Sequence, residues 1–171
     1  MKVIFIDVDG PLSWGSWGDG KVKIMKGTSQ EFEIPYAWDK ADCEALDEII
    51  KQTNAKLVVS SDWKKHYTLN QLAMIFEHYG IGRWNLLDTT THFNPKKKMS
   101  SSGDWDRACE IEIWVKAFKP ANWISIDDMQ LNYGYKSLGI PQWHHVQVDG
   151  DWGYGGKLRD KVDECIKKLE R

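Results

Sequence analysis

Short apolar runs rich in β-branched residues recur along this chain, and three of them stop abruptly at polar residues able to bind or react. "KVIFID" ends at Asp7, "AKLVVSS" at Ser60 and Ser61, and "NWISIDD" at Asp127 and Asp128. Runs of this length and composition, apolar throughout rather than alternating, read as strands buried on both faces. Between them lie stretches with helical spacing: Leu46, Ile49, Ile50 and Thr53; Leu69, Leu72, Ala73 and Phe76; Ile111, Trp114, Val115 and Phe118. Strands alternating with helices predict an α/β domain with a largely parallel sheet covered on both sides. Ligands of such sheets bind outside the carboxyl ends of the strands. A parallel arrangement therefore carries all three polar strand ends to one rim.

The rest of the chain fills in this frame. "WNLLDTT" and "HHVQV" predict two further strands, and Leu158, Val162, Ile166 and Leu169 predict a terminal helix. Thr68 and Gln71 form the Ser/Thr-x-x-Glu/Gln pattern of a capping box before the second helix. Residues 94–104, "NPKKKMSSSGD", read as an exposed loop. Residues 12–37 depart from the alternation: a Gly-rich start is followed by "KVKIMKGTSQEFEIP", which has the pattern of a hairpin. With 171 residues the chain is expected to form a single domain, 1–171, with 12–37 as a flap or minimal cap inserted after the first strand.

Bulk properties narrow the function classes. A formal net charge of −2 gives no global pull toward nucleic acid or anionic membranes, although local patches remain open. Three well-separated cysteines, Cys43, Cys109 and Cys165, argue against a disulfide framework or zinc site and suit a reducing compartment. No apolar stretch approaches the ~18 residues of a membrane span, and the chain begins directly in a strand-like run. A soluble cytoplasmic protein without a leader is the expectation. Ten tryptophans are an unusual load. Trp63, Trp114 and Trp123 fall in apolar-periodic segments and are expected in the core, whereas Trp14, Trp17, Trp38, Trp105 and Trp152 lie in Gly-, Asp- or Ser-rich stretches.

The acids at the strand ends carry the chemical argument. Asp-Gly after a strand is also simply a good turn, but carboxylates gathered at one rim repel unless a cation is present. Mg²⁺ takes oxygen ligands, commonly one or two carboxylates together with a substrate phosphate. An Asp can also act as nucleophile and form an aspartyl-phosphate. A nearby hydroxyl and cationic side chain would then hold the phosphoryl oxygens.

These motifs resemble those of the haloacid dehalogenase (HAD) superfamily of phosphohydrolases. "DVDGPL" is similar to its DxDGxL signature, "LVVSSDWK" to its second motif and "ISIDDM" to its fourth. The strings "SSDWK" and "DRACEIEIW" further resemble the small branch of HAD domains related to RNA-repair proteins. The resemblance implies a three-layer, Rossmann-like fold, Mg²⁺ as cofactor, and defined roles. Asp7 would be the nucleophile and a metal ligand. Asp9 would be the acid and base, its carbonyl touching the metal. Ser60 would bond the phosphoryl group, and Asp127, Asp128 or both would complete the metal site. The third-motif cation is Arg107 or Lys98, with Arg107 favoured by the helix that follows it. Lys64 stands where the branch has Arg and cannot form the same bidentate fork.

Substrate contacts are expected from Gly10, Ser61, Lys64, Trp14 and Trp17, the two tryptophans lying on the flap above the nucleophile with base stacking and plain packing both open. His144 and His145 read more simply as structural. The implied substrate is a small phosphorylated molecule of nucleotide type, hydrolysed as by a 5′-nucleotidase. A polynucleotide 3′- or 5′-end phosphatase of nucleic-acid repair is the alternative, and a non-catalytic nucleotide-binding module is a third reading. No membrane partner is expected.

Overall fold

The computed structural model describes residues 1–13, 20–91, 103–149 and 157–171. Five strands form one parallel sheet: β1 (Lys2–Ile6), β4 (Lys56–Val59), β5 (Leu86–Thr89), β6 (Asn122–Asp127) and β7 (His145–Gln147), in the order β5-β4-β1-β6-β7. β1 lies at the centre, with Ile6 in register with Val59 on one side and Ile126 on the other. The strands that follow β1 are laid down first on one side and then on the other. The chain thus reverses direction of winding beside β1, where α/β sheets bind ligands.

Three layers follow from the two-residue period of the strands. Ile4 and Ile6 of β1, with Leu57, Val59, Ile124 and Ile126, face a core shared with α1 (Lys40–Thr53), α2 (Leu69–His78) and α5 (Val162–Leu169). Val3 and Phe5, with Val58 and Trp123, face the opposite core with α3 (Gly103–Phe118) and α4 (Asn132–Leu138). Phe5 sits edge-on between Trp114 and Trp123, at centroid distances of 5.4 and 5.5 Å. This is the α/β parallel architecture expected of a HAD-type Rossmann-like fold.

The predicted strands and long helices are present, and the Thr68–Gln71 capping box closes as expected, each partner bonding the other's backbone. The hairpin is present as β2 (Val22–Ile24) and β3 (Phe32–Ile34), antiparallel, with Ile24 and Ile34 buried in the first core. Four details differ from the sequence reading. α3 begins at Gly103, inside the segment read as a loop, the remainder of which lies outside the described residues apart from Gly103 and Asp104. Its stripe is not buried throughout: Phe118 is 58% exposed at the helix end. Trp38, placed outside the apolar pattern, is core, stacked on Tyr79 and edge-on to Phe76. Helix α4 gave no sequence signal, being seven residues long with no side-chain cap at its start. It packs where Gly134 lets the backbone approach α3; a Cβ there would stand 2.6 Å from the Ala108 Cβ. Among the described residues, no helix is long and apolar enough to cross a membrane.

Candidate active site at the carboxyl rim of the sheet

The parallel sheet delivers the three polar strand ends to one place. Asp7 follows β1, its N–H donating to the Ile126 carbonyl at 3.0 Å, so the nucleophile candidate is tied to the end of β6. Ser60 follows β4 and donates its N–H to the Ile6 carbonyl at 2.9 Å. Asp127 closes β6. One carboxylate oxygen from each of Asp7, Asp127 and Asp128 lies within 4.8 Å of the others. Such a group of hard oxygen donors fits Mg²⁺.

Arg107, from the early part of α3, reaches into this group. Its guanidinium lies 2.5 Å from Asp7 Oδ2 and 2.8 Å from Asp127 Oδ2. Burial opposes its charge, but Asp7 and Asp127 overcome this and hold its pKa above the ordinary value. Asp127 is wholly buried, and its Oδ1 accepts from the Met129 N–H at 2.9 Å. Desolvation first, then the charge of Asp7, pushes the Asp127 carboxyl well above the usual carboxylate range. The same two causes raise Asp128. Among the described residues, three acids stand with one guanidinium, a balance that would suit a bound cation.

The other expected residues fall into different positions. Asp9 is half-buried, and its Oδ1 accepts two bonds, from Tyr36 Oη at 2.5 Å and Trp63 Nε1 at 3.0 Å. Burial raises its pKa despite these donors. The Ser60 hydroxyl is buried and has no hydrogen-bond partner among the described residues. An orphan of that kind costs free energy unless something absent from the structure accepts or donates, and a phosphoryl oxygen is such a partner. Gly10, at φ +92°, lies against Asp128; a Cβ there would stand 2.7 Å from the Asp128 Cγ. Ser61 caps the short helical turn Asp62–Lys65 by accepting from the Trp63 N–H.

Lys64 is turned away from solvent. Its Nζ lies 2.5 Å from Glu110 Oε2 and 2.8 Å from Thr90 Oγ1, and its side chain is 4% exposed. Desolvation lowers its pKa against the pull of Glu110. Glu110 is one helical turn beyond Arg107, so this contact ties the turn after β4 to the helix that presents the arginine. Beside it opens a cavity of about 300 Å³ lined by Asp62, Lys65, Gly103, Asp106, Arg107 and Met129, among others. Lys98, Trp14 and Trp17 lie outside the described residues.

The two histidines have packing roles. His144 lies between the rings of Trp123 and Trp143 at 3.9 and 3.7 Å. His145 contacts Ser125 Oγ and the Met129 carbonyl, and burial lowers its pKa to about 4. Sequence reasoning missed Tyr36, Thr90 and Glu110. Glu110 carried a signal, standing on the Arg107 face of a helix. Tyr36 carried none, because its reach to Asp9 depends on how the hairpin folds back.

Comparison with curated proteins and with solved structures gave no significant match. Residues 3–154 match the family described as the HAD domain in Swiss Army Knife RNA repair proteins. That match spans β1 through β7 and every acid of the rim, so this chain belongs to the HAD superfamily, within the branch of RNA-repair-related HAD domains.

Proposed function

We propose that the protein is a Mg²⁺-dependent phosphomonoester hydrolase working through an aspartyl-phosphate on Asp7. The observation that carries this reading is the charge-deficient cluster of Asp7, Asp127 and Asp128 around Arg107 at the strand ends. Asp7 and Asp128 are the side chains assigned to the metal. Asp127, with Oδ1 on the Met129 N–H and Oδ2 on Arg107, is assigned to holding the arginine. Mg²⁺ bound there supplies positive charge against the phosphoryl oxygens.

The chain's own residues do the rest. An Asp7 carboxylate oxygen attacks phosphorus as the bond to the leaving oxygen breaks, and Asp9 gives its proton to that oxygen, releasing an alcohol. Water then attacks the acyl-phosphate and gives a proton to Asp9, which restores Asp7 and releases phosphate. Arg107 orients Asp7 and offsets charge as the phosphoryl group transfers, and the Ser60 hydroxyl bonds one of its oxygens.

For the substrate, the RNA-repair family favours a phosphate at a nucleic-acid end over a free nucleoside monophosphate. The segment between β1 and α1 is short, and its described residues include the β2–β3 hairpin. Phosphate release in Mg²⁺ from oligoribonucleotides bearing 3′- or 5′-phosphates, set beside nucleoside monophosphates, tests both parts. Faster release from ends supports repair-type activity. Faster release from monomers makes the protein a nucleotidase, and no release from either overturns the assignment to nucleotide phosphates.

A further inference from the structure

All of the side-chain hydrogen bonds that Asp9 makes to described residues fall on one of its two carboxylate oxygens. Tyr36 Oη and Trp63 Nε1 both donate to Oδ1. Two donors occupy both in-plane lone pairs of that oxygen. We propose that Tyr36 and Trp63 are positioning residues that confine the transferable proton of Asp9 to Oδ2 and aim that oxygen at the leaving group. This assignment rests on the phosphatase reading and deepens it.

The two donors arrive from separate elements. Trp63 belongs to the turn after β4, whose first residues are Ser60 and Ser61. Tyr36 follows β3, at the end of the hairpin. Their rings meet edge-on at 5.6 Å, so each donor braces the other. The hairpin is tied to the same turn a second time, where Phe32 lies 6.0 Å from the Tyr67 ring and the Tyr67 hydroxyl donates to the Glu33 carbonyl. The Asp9 carboxylate is therefore held by the hairpin and the turn after β4 together.

Proton donation matters in proportion to how poor the leaving group is. An alkoxide leaving from a nucleoside phosphate needs the proton, whereas nitrophenolate leaves without it. In the first step the Asp9 Oδ2–H bond breaks as the phosphorus–oxygen bond to the leaving group breaks, and that oxygen keeps the bonding pair and takes the proton. Losing the aim of Oδ2 must then cost alkyl esters more than aryl esters. A residue that only stabilises the fold costs both alike.

The experiment compares kcat on a nucleoside or oligonucleotide phosphate with kcat on p-nitrophenyl phosphate, for Tyr36→Phe and Trp63→Phe, each of which removes a donor and keeps a ring. The expected result is a fall of tenfold or more in the alkyl-to-aryl ratio for Tyr36→Phe, a smaller fall for Trp63→Phe, and the largest for Asp9→Asn. Thermal melts of both variants within a few degrees of the parent accompany this result. An equal loss on both esters, or no loss on either, overturns the assignment. Asp7→Asn separates the two levels: activity surviving in that variant overturns the aspartyl-phosphate on Asp7, whatever Tyr36 does, whereas loss of activity there with an unchanged alkyl-to-aryl ratio in Tyr36→Phe overturns only the positioning role.

Discussion

Two buried charge groups lie one helical turn apart on α3, and they are built on opposite principles. Around Lys64 the charges are matched: one ammonium meets one carboxylate, Glu110, with the Thr90 hydroxyl beside both at 2.8 and 3.2 Å. Around Arg107 they are unmatched among the described residues: its guanidinium meets Asp7 and Asp127, and Asp128 lies beside both. A matched pair costs desolvation and recovers it through attraction and hydrogen bonds, so it serves as a fixed strut. An unmatched group stays under electrostatic stress until a cation or a charged substrate arrives. The same helix thus carries a strut and a site, and the charge balance tells them apart.

Breaking the unmatched group should show first in activity. Asp7→Asn is expected to lower phosphate release by on the order of 10³-fold or more, as removal of a nucleophile does, while the melting temperature in EDTA holds or rises because one repelling acid is gone. A colorimetric phosphate assay and a thermal melt read the two halves of that claim. A large loss of stability instead would mean that Asp7 is part of a strut after all.

The matched pair should answer in the opposite way. Lys64→Met removes the ammonium that faces the buried Glu110 carboxylate and is expected to cost about 3–5 kcal/mol. The double variant Lys64→Met with Glu110→Leu should recover most of this, since both charges leave together. Urea unfolding of the set measures the coupling. A double variant as unstable as the single one would show that Glu110 answers to some other group.

A pH series sharpens the contrast further. Burial and repulsion raise the carboxyls of Asp127 and Asp128 in the folded chain. A carboxyl whose folded pKa is raised favours folding below its unfolded value of ~4, and that contribution is lost as pH rises through the folded value. In EDTA, the melting temperature of Asp128→Asn should therefore gain on the parent as pH rises, by about 2–4 °C for each kcal/mol of relief. Mg²⁺ should raise the parent more than the variant. A difference that stays flat with pH would remove the stress argument.

The smallest effect belongs to Ser60. Ser60→Ala deletes a buried hydroxyl that has no partner among the described residues and should leave stability unchanged or raise it by about 1 kcal/mol. Activity should fall on the order of tenfold as the phosphoryl group loses one bond. Loss of stability without loss of activity would place Ser60 with the structural residues.

Much of this was legible in the amino-acid order because it depends on local spacing. The five strands, the capped helix α2 and the polar strand ends follow from apolar runs and their terminators. Parallel pairing then carries Asp7, Ser60, Asp127 and Asp128 to one rim whatever the details of packing. Lys64 shows where that logic stops. Its neighbours in sequence, Ser60 and Trp63, belong to the site, yet its ammonium runs into a buried pair with a helix 46 residues away. Helix α4 was invisible for a related reason: its register comes from Gly134 meeting Ala108, not from its own short pattern.

The sequence alone therefore determined the α/β class, the polar residues at the strand ends and the order in which they meet the sheet. Periodicity and strand ends are properties of consecutive residues and survive without knowledge of the fold. The tertiary structure decided that Arg107 stands against Asp7, which described donors reach Asp9, and that Lys64 pairs with Glu110. Those outcomes depend on distances between residues far apart in the chain, set by how α3 and the hairpin pack against the rim, and no local pattern encodes them.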